Sequence, residues 1–273
     1  MKVDEGDTMC VKSLLATLPR WGGAVALGGL LAIASGSASG GMPETIDRVK
    51  PSIVAVGTFQ KTRSPAFAFR GTGFAVGDGT LIATNAHVLP DVLQTENLES
   101  LVVMVAGVDG RGPQPREAKT VAIDRQHDLA LLRVTGTPLP AMRLGNPADV
   151  REGHSVAFTG FPIGGVLGIF PVTHRGMIAS ITPIALPGVT SQQLDERLLR
   201  RLQSGTFPVF QLDATAYPGN SGSPLYDIET GAVVGIMNMV FVRGTKEAVL
   251  SQPSGISFAV PVQFLQELLR TTN

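Results

Sequence analysis

Cysteine is nearly absent: Cys10 is the one thiol in 273 residues, so the body of the chain can form no intrachain disulfide, thiolate metal cluster or cysteine nucleophile. Net charge is absent as well. Lys and Arg total 22 and so do Asp and Glu, which removes any electrostatic reason to expect nucleic acid as a partner. Metal-ligand spacing is missing too: His127 and Asp128 adjoin, but no His-Glu-x-x-His or equivalent pattern occurs, so neither metal nor cofactor is expected. What remains is 44% hydrophobic, with 32 Gly and 19 Pro, the composition of a packed protein with many tight turns and not of a disordered chain.

The longest apolar run, Trp21 to Ala34, is about 14 residues, short of the roughly 20 that a spanning helix needs. Lys12 and Arg20 precede it, and the small residues Ser35 to Gly41 follow it. That order predicts that residues 1–41 are a cleaved secretory signal or, failing cleavage, an amino-terminal membrane anchor, and that the protein is exported. A start at Met9 would drop the acidic Asp4, Glu5 and Asp7 and leave a conventional basic leader. Cys10 precedes the apolar run, which argues against lipid attachment there.

From Ile46 onward, short β-branched or alternating runs recur between turn signals: 53–58, 72–76, 80–84, 101–105, 129–134, 155–159 and 176–181, then 209–212, 232–238 and 256–260. Many short strands with Gly and Pro punctuation predict an all-β barrel or sandwich. Residues 136–147, with three prolines, read as a linker between lobes at about 46–140 and 148–261. Two helices are expected. Residues 190–204 place Leu194, Leu198, Leu199 and Leu202 on one face, with Thr190 and Gln193 spaced as a capping box, and 262–270 carry an apolar stripe after Pro261.

Gly219-Asn220-Ser221-Gly222-Ser223-Pro224 sets a serine among residues of little bulk ahead of an apolar strand. A nucleophile needs such a turn, with its hydroxyl exposed and backbone N–H groups free for a developing oxyanion. By itself the segment could be only a turn. Upstream, His87 follows the strand 80–84 in Thr84-Asn85-Ala86-His87-Val88, and Asp128 stands at the entrance to the apolar run 129–132. The order His87, Asp128, Ser221 is that of one of the three known chain orders of a Ser-His-Asp triad. His127, His154 and His174 are expected in turns or on the surface.

With Gly71-Thr72-Gly73-Phe74, Asp213-Ala214-Thr215, Gly235-Ile236 and Ile256 to Pro261, these motifs resemble the trypsin-like serine proteases of the HtrA/Deg type over roughly Ile46 to Leu269. The resemblance implies two six-stranded β-barrels of the chymotrypsin kind, with residues 42–273 forming the protease domain. It implies His87, Asp128 and Ser221 as the triad and the N–H groups of Gly219 and Ser221 as the oxyanion hole. It also implies polypeptide substrates, unfolded or misfolded envelope proteins, and a homotrimer.

Several positions depart from that family. Ser223 replaces the more usual glycine and is similar to the bacterial glutamyl endopeptidases, yet Met237 and Asn238 stand where those relatives carry a glutamate-binding histidine. Thr215 occupies the place of the trypsin aspartate. A pocket lined by Thr215, Ala216, Tyr217, Met237, Asn238 and Met239 is expected to take a small or medium apolar side chain. The loop 60–70 is short, and the sequence stops at Asn273, which predicts no attached PDZ domain. The 190–204 helix is expected either to gate the site or meet a partner protomer, or simply to pack on its own barrel. Two functions compete: an exported serine endopeptidase, favoured by the complete triad, and a latent homologue that binds peptides as a holdase or scaffold.

Overall fold

A computed structural model describes residues 41–106, 112–164, 168–183, 206–239 and 255–272. The apolar amino-terminal run and the expected helix at 190–204 lie outside these residues. Among the described residues no helix is long and apolar enough to cross a membrane.

Twelve strands close into two antiparallel barrels, giving the all-β, chymotrypsin-like double barrel that the sequence predicts. The first holds β1 (Ile53–Phe59), β2 (Phe67–Val76), β3 (Leu81–Asn85), β4 (Ser100–Val105), β5 (Gln114–Asp124) and β6 (Leu129–Val134), in the spatial order β1-β2-β3-β6-β5-β4. The second holds β7 (Ser155–Gly160), β8 (Val172–Pro183), β9 (Pro208–Asp213), β10 (Pro224–Asp227), β11 (Val233–Met237) and β12 (Ile256–Pro261), in the order β10-β11-β12-β9-β8-β7. Helix α1 (Met42–Val49) precedes the first barrel and α2 (Val262–Thr272) closes the described chain.

Strands β1 and β6 read as continuous apolar runs because both of their faces are buried. Val54 and Val56, with Ala130 and Leu132, fill the first barrel. The alternate residues Ile53, Ala55, Leu129 and Leu131 instead join Tyr226, Val233, Ile236 and Val260 in a second layer between the barrels. Period-two alternation thus feeds two cores from one strand. Truncating one such side chain, Leu131 to alanine, would cost about 2–5 kcal/mol. Phe264, Leu265 and Leu268 of α2 enter the same layer, and Val156, Phe158, Ile178, Phe210, Leu212 and Leu225 fill the second barrel.

The linker is fastened to both lobes: the N–H groups of Leu139 and Met142 donate to Gly79 and Ala75 in the first barrel, at 2.9 and 2.8 Å, and that of Gly145 donates to Val233 in the second, at 2.8 Å. Elements absent from the sequence reading have local causes. Strand β5 is mostly exposed, and its polar Gln114 to Lys119 stretch carries no apolar alternation; four-residue β10 begins at Pro224, directly after the glycine-flanked Ser221 turn.

Candidate active site

The end of β3 and the entrance of β6 lie side by side, and Asn85 binds them together. Its fully buried side chain donates Nδ2 to the Asp128 carbonyl at 3.0 Å, and the Ala86 N–H donates to that same oxygen at 3.1 Å. A short 3₁₀ turn, Ala86–Val88, then swings His87 toward the acid. Asp128 sits in the left-handed region at φ 56°, which aspartate tolerates better than most residues. Its carboxylate accepts the His87 backbone N–H on Oδ1 at 2.9 Å and meets His87 Nδ1 with Oδ2 at 2.6 Å. An ionised carboxylate only accepts, so the imidazole proton is held on Nδ1 and Nε2 keeps its lone pair. Asp128 is buried, whereas a third of the His87 side chain is exposed, leaving Nε2 room to meet a reactant.

The Gly219-Asn220-Ser221-Gly222 turn of the second barrel docks on the first. At Gly219, φ is 104°, and at Gly222 it is 84°. A Cβ on Gly222 would come 2.1 Å from the Thr72 carbonyl oxygen, and one on Gly219 would come 2.3 Å from that of Phe161, so both positions need glycine for conformation and for space. Strand β2 pairs with β3 only over Phe74 to Val76, and the open edge beside Thr72 takes the turn: the Thr72 N–H donates to the Ser221 carbonyl at 2.8 Å.

Peptide planarity then orients the N–H groups. In a trans peptide the C=O and the following N–H point oppositely. The Pro218 carbonyl is held by the Ile163 N–H at 2.7 Å and the Asn220 carbonyl by the Ser223 N–H at 3.0 Å. The N–H groups of Gly219 and Ser221 therefore face the other way, and among the described residues neither donates within the chain. Ile163 makes its bond from φ 52°, a strained conformation for a β-branched residue that costs about 1–3 kcal/mol. Two such unpaired N–H groups can stabilise a developing oxyanion. His87 and Asp128 are joined by hydrogen bonds; Ser221 meets the first barrel through its main chain, and its side chain makes no hydrogen bond among the described residues.

The expected pocket residues separate into different surroundings. Thr215 and Tyr217 are half-buried. Ala216 is buried and donates its N–H to Ser257 Oγ at 3.1 Å, and that hydroxyl donates to the Ala214 carbonyl at 2.7 Å. Met237 is fully buried in the second barrel, with Met239 partly buried against it. Asn238, also fully buried, donates Nδ2 to Asp128 Oδ2 at 2.8 Å, so its amide reaches the acid from the other barrel. Nothing in the sequence marked Asn238 for that contact, because one residue's face at a strand end depends on the register.

His174 differs from its expected surface placement. It stacks on Phe158, with ring centroids 5.0 Å apart, and lies 5.9 Å from Tyr217. Burial holds its imidazole below the ordinary histidine pKa, and Nε2 is buried without a partner. His127 is also largely covered: it meets Asp124 at 2.6 Å and stacks on Phe264 at 3.8 Å. His154 pairs with Asp227 at 2.7 Å. Among the described residues no cluster of three or more His, Cys, Asp or Glu side chains could share a metal ion.

Residues 71–236 match the trypsin-like peptidase domain family. The chain is 29% identical over 199 residues to a "Probable periplasmic serine endoprotease DegP-like" of Halomonas elongata, covering 72% of this chain and 34% of that one. It is 31% identical over 205 residues to "Serine protease HTRA2, mitochondrial" of Drosophila willistoni, covering 75% and 39%. The chain thus spans only about a third of the length of the DegP-like relative. The solved structure "HtrA-type protease AlgW with decapeptide" shares the fold, with a TM-score of 0.60 at 23% identity over 85% of this chain and 67% of that one.

Proposed function

This chain belongs to the trypsin-like peptidase family, and from that premise we propose that it is an exported serine endopeptidase that cleaves unfolded or misfolded polypeptides of the cell envelope. The observation that carries this reading is the combination of a hydrogen-bonded His87–Asp128 pair, its acid buried and its histidine open to solvent, with a serine turn whose Gly219 and Ser221 N–H groups are free among the described residues. Ser221 Oγ attacks the scissile carbonyl carbon as His87 Nε2 takes the hydroxyl proton, and the carbonyl oxygen becomes an oxyanion facing the two N–H groups. The tetrahedral adduct collapses to an acyl-enzyme when the C–N bond breaks and His87 returns the proton to the leaving amine. Water, deprotonated by the same imidazole, then releases the acid and restores Ser221. Asp128 stays ionised throughout and stabilises the transient imidazolium.

No charged side chain occurs among Thr215, Ala216, Tyr217, Met237, Asn238 and Met239, which supports cleavage after a small or medium apolar residue. Export rests on the leader-like amino terminus, together with the periplasmic relatives. The test is labelling of the purified full chain with a fluorophosphonate, located by peptide mass mapping, beside Ser221→Ala. Labelling confined to Ser221 is expected; a folded protein that stays unlabelled would instead favour the peptide-binding scaffold. Native mass spectrometry of the same sample tests the trimer that family resemblance implies.

A further inference from the structure

We infer that Thr72 is a positioning residue for the oxyanion-binding turn, holding the second barrel's Gly219–Ser221 segment from the first barrel through its hydroxyl. This rests on the peptidase reading above and adds to it a residue outside the triad and the hole.

Thr72 is completely buried, and all four of its hydrogen-bonding groups have work that can be traced. Its N–H donates to the Ser221 carbonyl at 2.8 Å, and its own carbonyl accepts Thr84 Oγ1 at 2.7 Å. The hydroxyl donates to the Gly219 carbonyl at 2.8 Å and accepts the Phe161 N–H at 3.2 Å. A threonine kept only for its own barrel would find side-chain partners there. Both hydroxyl partners here belong to the second barrel, one in the nucleophile turn and the other in the segment leading to Ile163, whose N–H holds Pro218.

The hydroxyl therefore ties together the two segments that orient the Gly219 N–H. Through the Gly219 carbonyl it fixes the peptide following the hole's first donor; through Phe161 it anchors the strand end from which Ile163 reaches the peptide preceding that donor. A donor-only or acceptor-only side chain could not serve both, whereas a hydroxyl can. Neighbouring glycines leave it room: a Cβ on Gly160 would fall 2.8 Å from Thr72 Oγ1 and 2.0 Å from Ser223 Oγ, and a Cβ on Gly71 would fall 3.0 Å from the Ser221 carbonyl oxygen.

The full chain carrying Thr72→Val or Thr72→Ser is compared with wild type in steady-state hydrolysis of a chromogenic peptide and in the rate of fluorophosphonate inactivation, with circular dichroism and melting to confirm folding. Misplacing one oxyanion donor without deleting it is expected to lower kcat and the inactivation rate of Thr72→Val by about 10- to 100-fold, with KM changed by less than about 3-fold. Thr72→Ser, which retains the hydroxyl, is expected to stay within about 3-fold of wild type. Should Thr72→Val not fold, Thr72→Ala, which also lacks the hydroxyl but adds no bulk, is read in its place. A folded hydroxyl-free variant with wild-type kcat, or a serine variant as slow as the valine one, overturns the inference. Failure of wild type itself to react at Ser221 would instead defeat the peptidase reading.

Discussion

In the first barrel, His87 and Asp128 hang from two adjacent strand ends, and the acid's carbonyl and both carboxylate oxygens are engaged by Asn85, Ala86, His87 and Asn238. In the second, Ser221 rides on a turn with two glycines at positive φ and a strained Ile163 nearby, and the fully buried side chains of Asn220 and Ser223 have no hydrogen-bond partner. The acid of the first half is saturated with bonds, although Asn85 Oδ1 is buried without a partner among the described residues, whereas the serine turn of the second is short of them and leans on Thr72 from across the interface. The difference fits the chemistry proposed for each half. A carboxylate that orients a histidine and stabilises its imidazolium needs fixed partners in every state, but oxyanion donors must stand unpaired until a reactant arrives, so the segment presenting them cannot satisfy itself.

The sharpest way to break the saturated half is Asp128→Asn. An amide can donate to Nδ1 and impose the wrong tautomer, so hydrolysis of an activated ester is expected to fall on the order of 10⁴-fold in kcat. A recovery of full activity above neutral pH without added base would contradict that tautomer role.

Asn238→Leu removes only the bond arriving from the second barrel, and its kcat is expected to fall about 10-fold for every substrate. This separates the two roles open to Asn238. A change confined to KM or to the preferred residue before the scissile bond would return it to the substrate pocket.

His174 probes how far the second barrel tolerates unpaired groups. Its folded-state pKa lies below the unfolded value near 6.5, so the unfolded chain binds the proton more readily. Its contribution to stability is therefore full above about pH 6.5 and declines as pH falls below that value. His174→Phe keeps the stack on Phe158, and its melting temperature is expected to drop less between pH 7 and pH 5 than that of wild type. Parallel drops in the two proteins would remove His174 as a source of acid sensitivity.

The smallest change is Ser223→Ala, which deletes a buried hydroxyl with no partner. Stability is expected to rise by about 1 kcal/mol, or roughly 2–4 °C in melting temperature. A lower melting point would mean that the hydroxyl has a hydrogen-bond partner such as an internal water.

Much of this was legible in the chain itself. Strands β1 and β6 announced themselves through the unbroken apolar runs Ile53 to Val56 and Leu129 to Leu132, and the glycines around Ser221 marked a turn with unusual backbone freedom. The polar β5 did not, since an exposed strand has no reason to alternate, and α1 is too short for periodicity to speak. The candidate triad could be proposed from the chain because its residues sit in local motifs. Asn238, His174 and Thr72 could not be read in the same way, because each acquires its role from partners 110, 16 and 147 residues away, through register and barrel closure.

Four bonds described above join the two barrels: Asn238 to Asp128, Thr72 to the Gly219 carbonyl, Thr72 to the Ser221 carbonyl, and the Phe161 N–H to the Thr72 hydroxyl. Hydrogen bonds of this kind do not survive an extra ångström or two of separation. Any loosening that lets the lobes drift apart disconnects proton relay and oxyanion support together, well before the strands of either lobe unravel. On the proposed peptidase reading, activity therefore reports the integrity of the molecule: a copy whose lobes have parted falls silent before its barrels unfold.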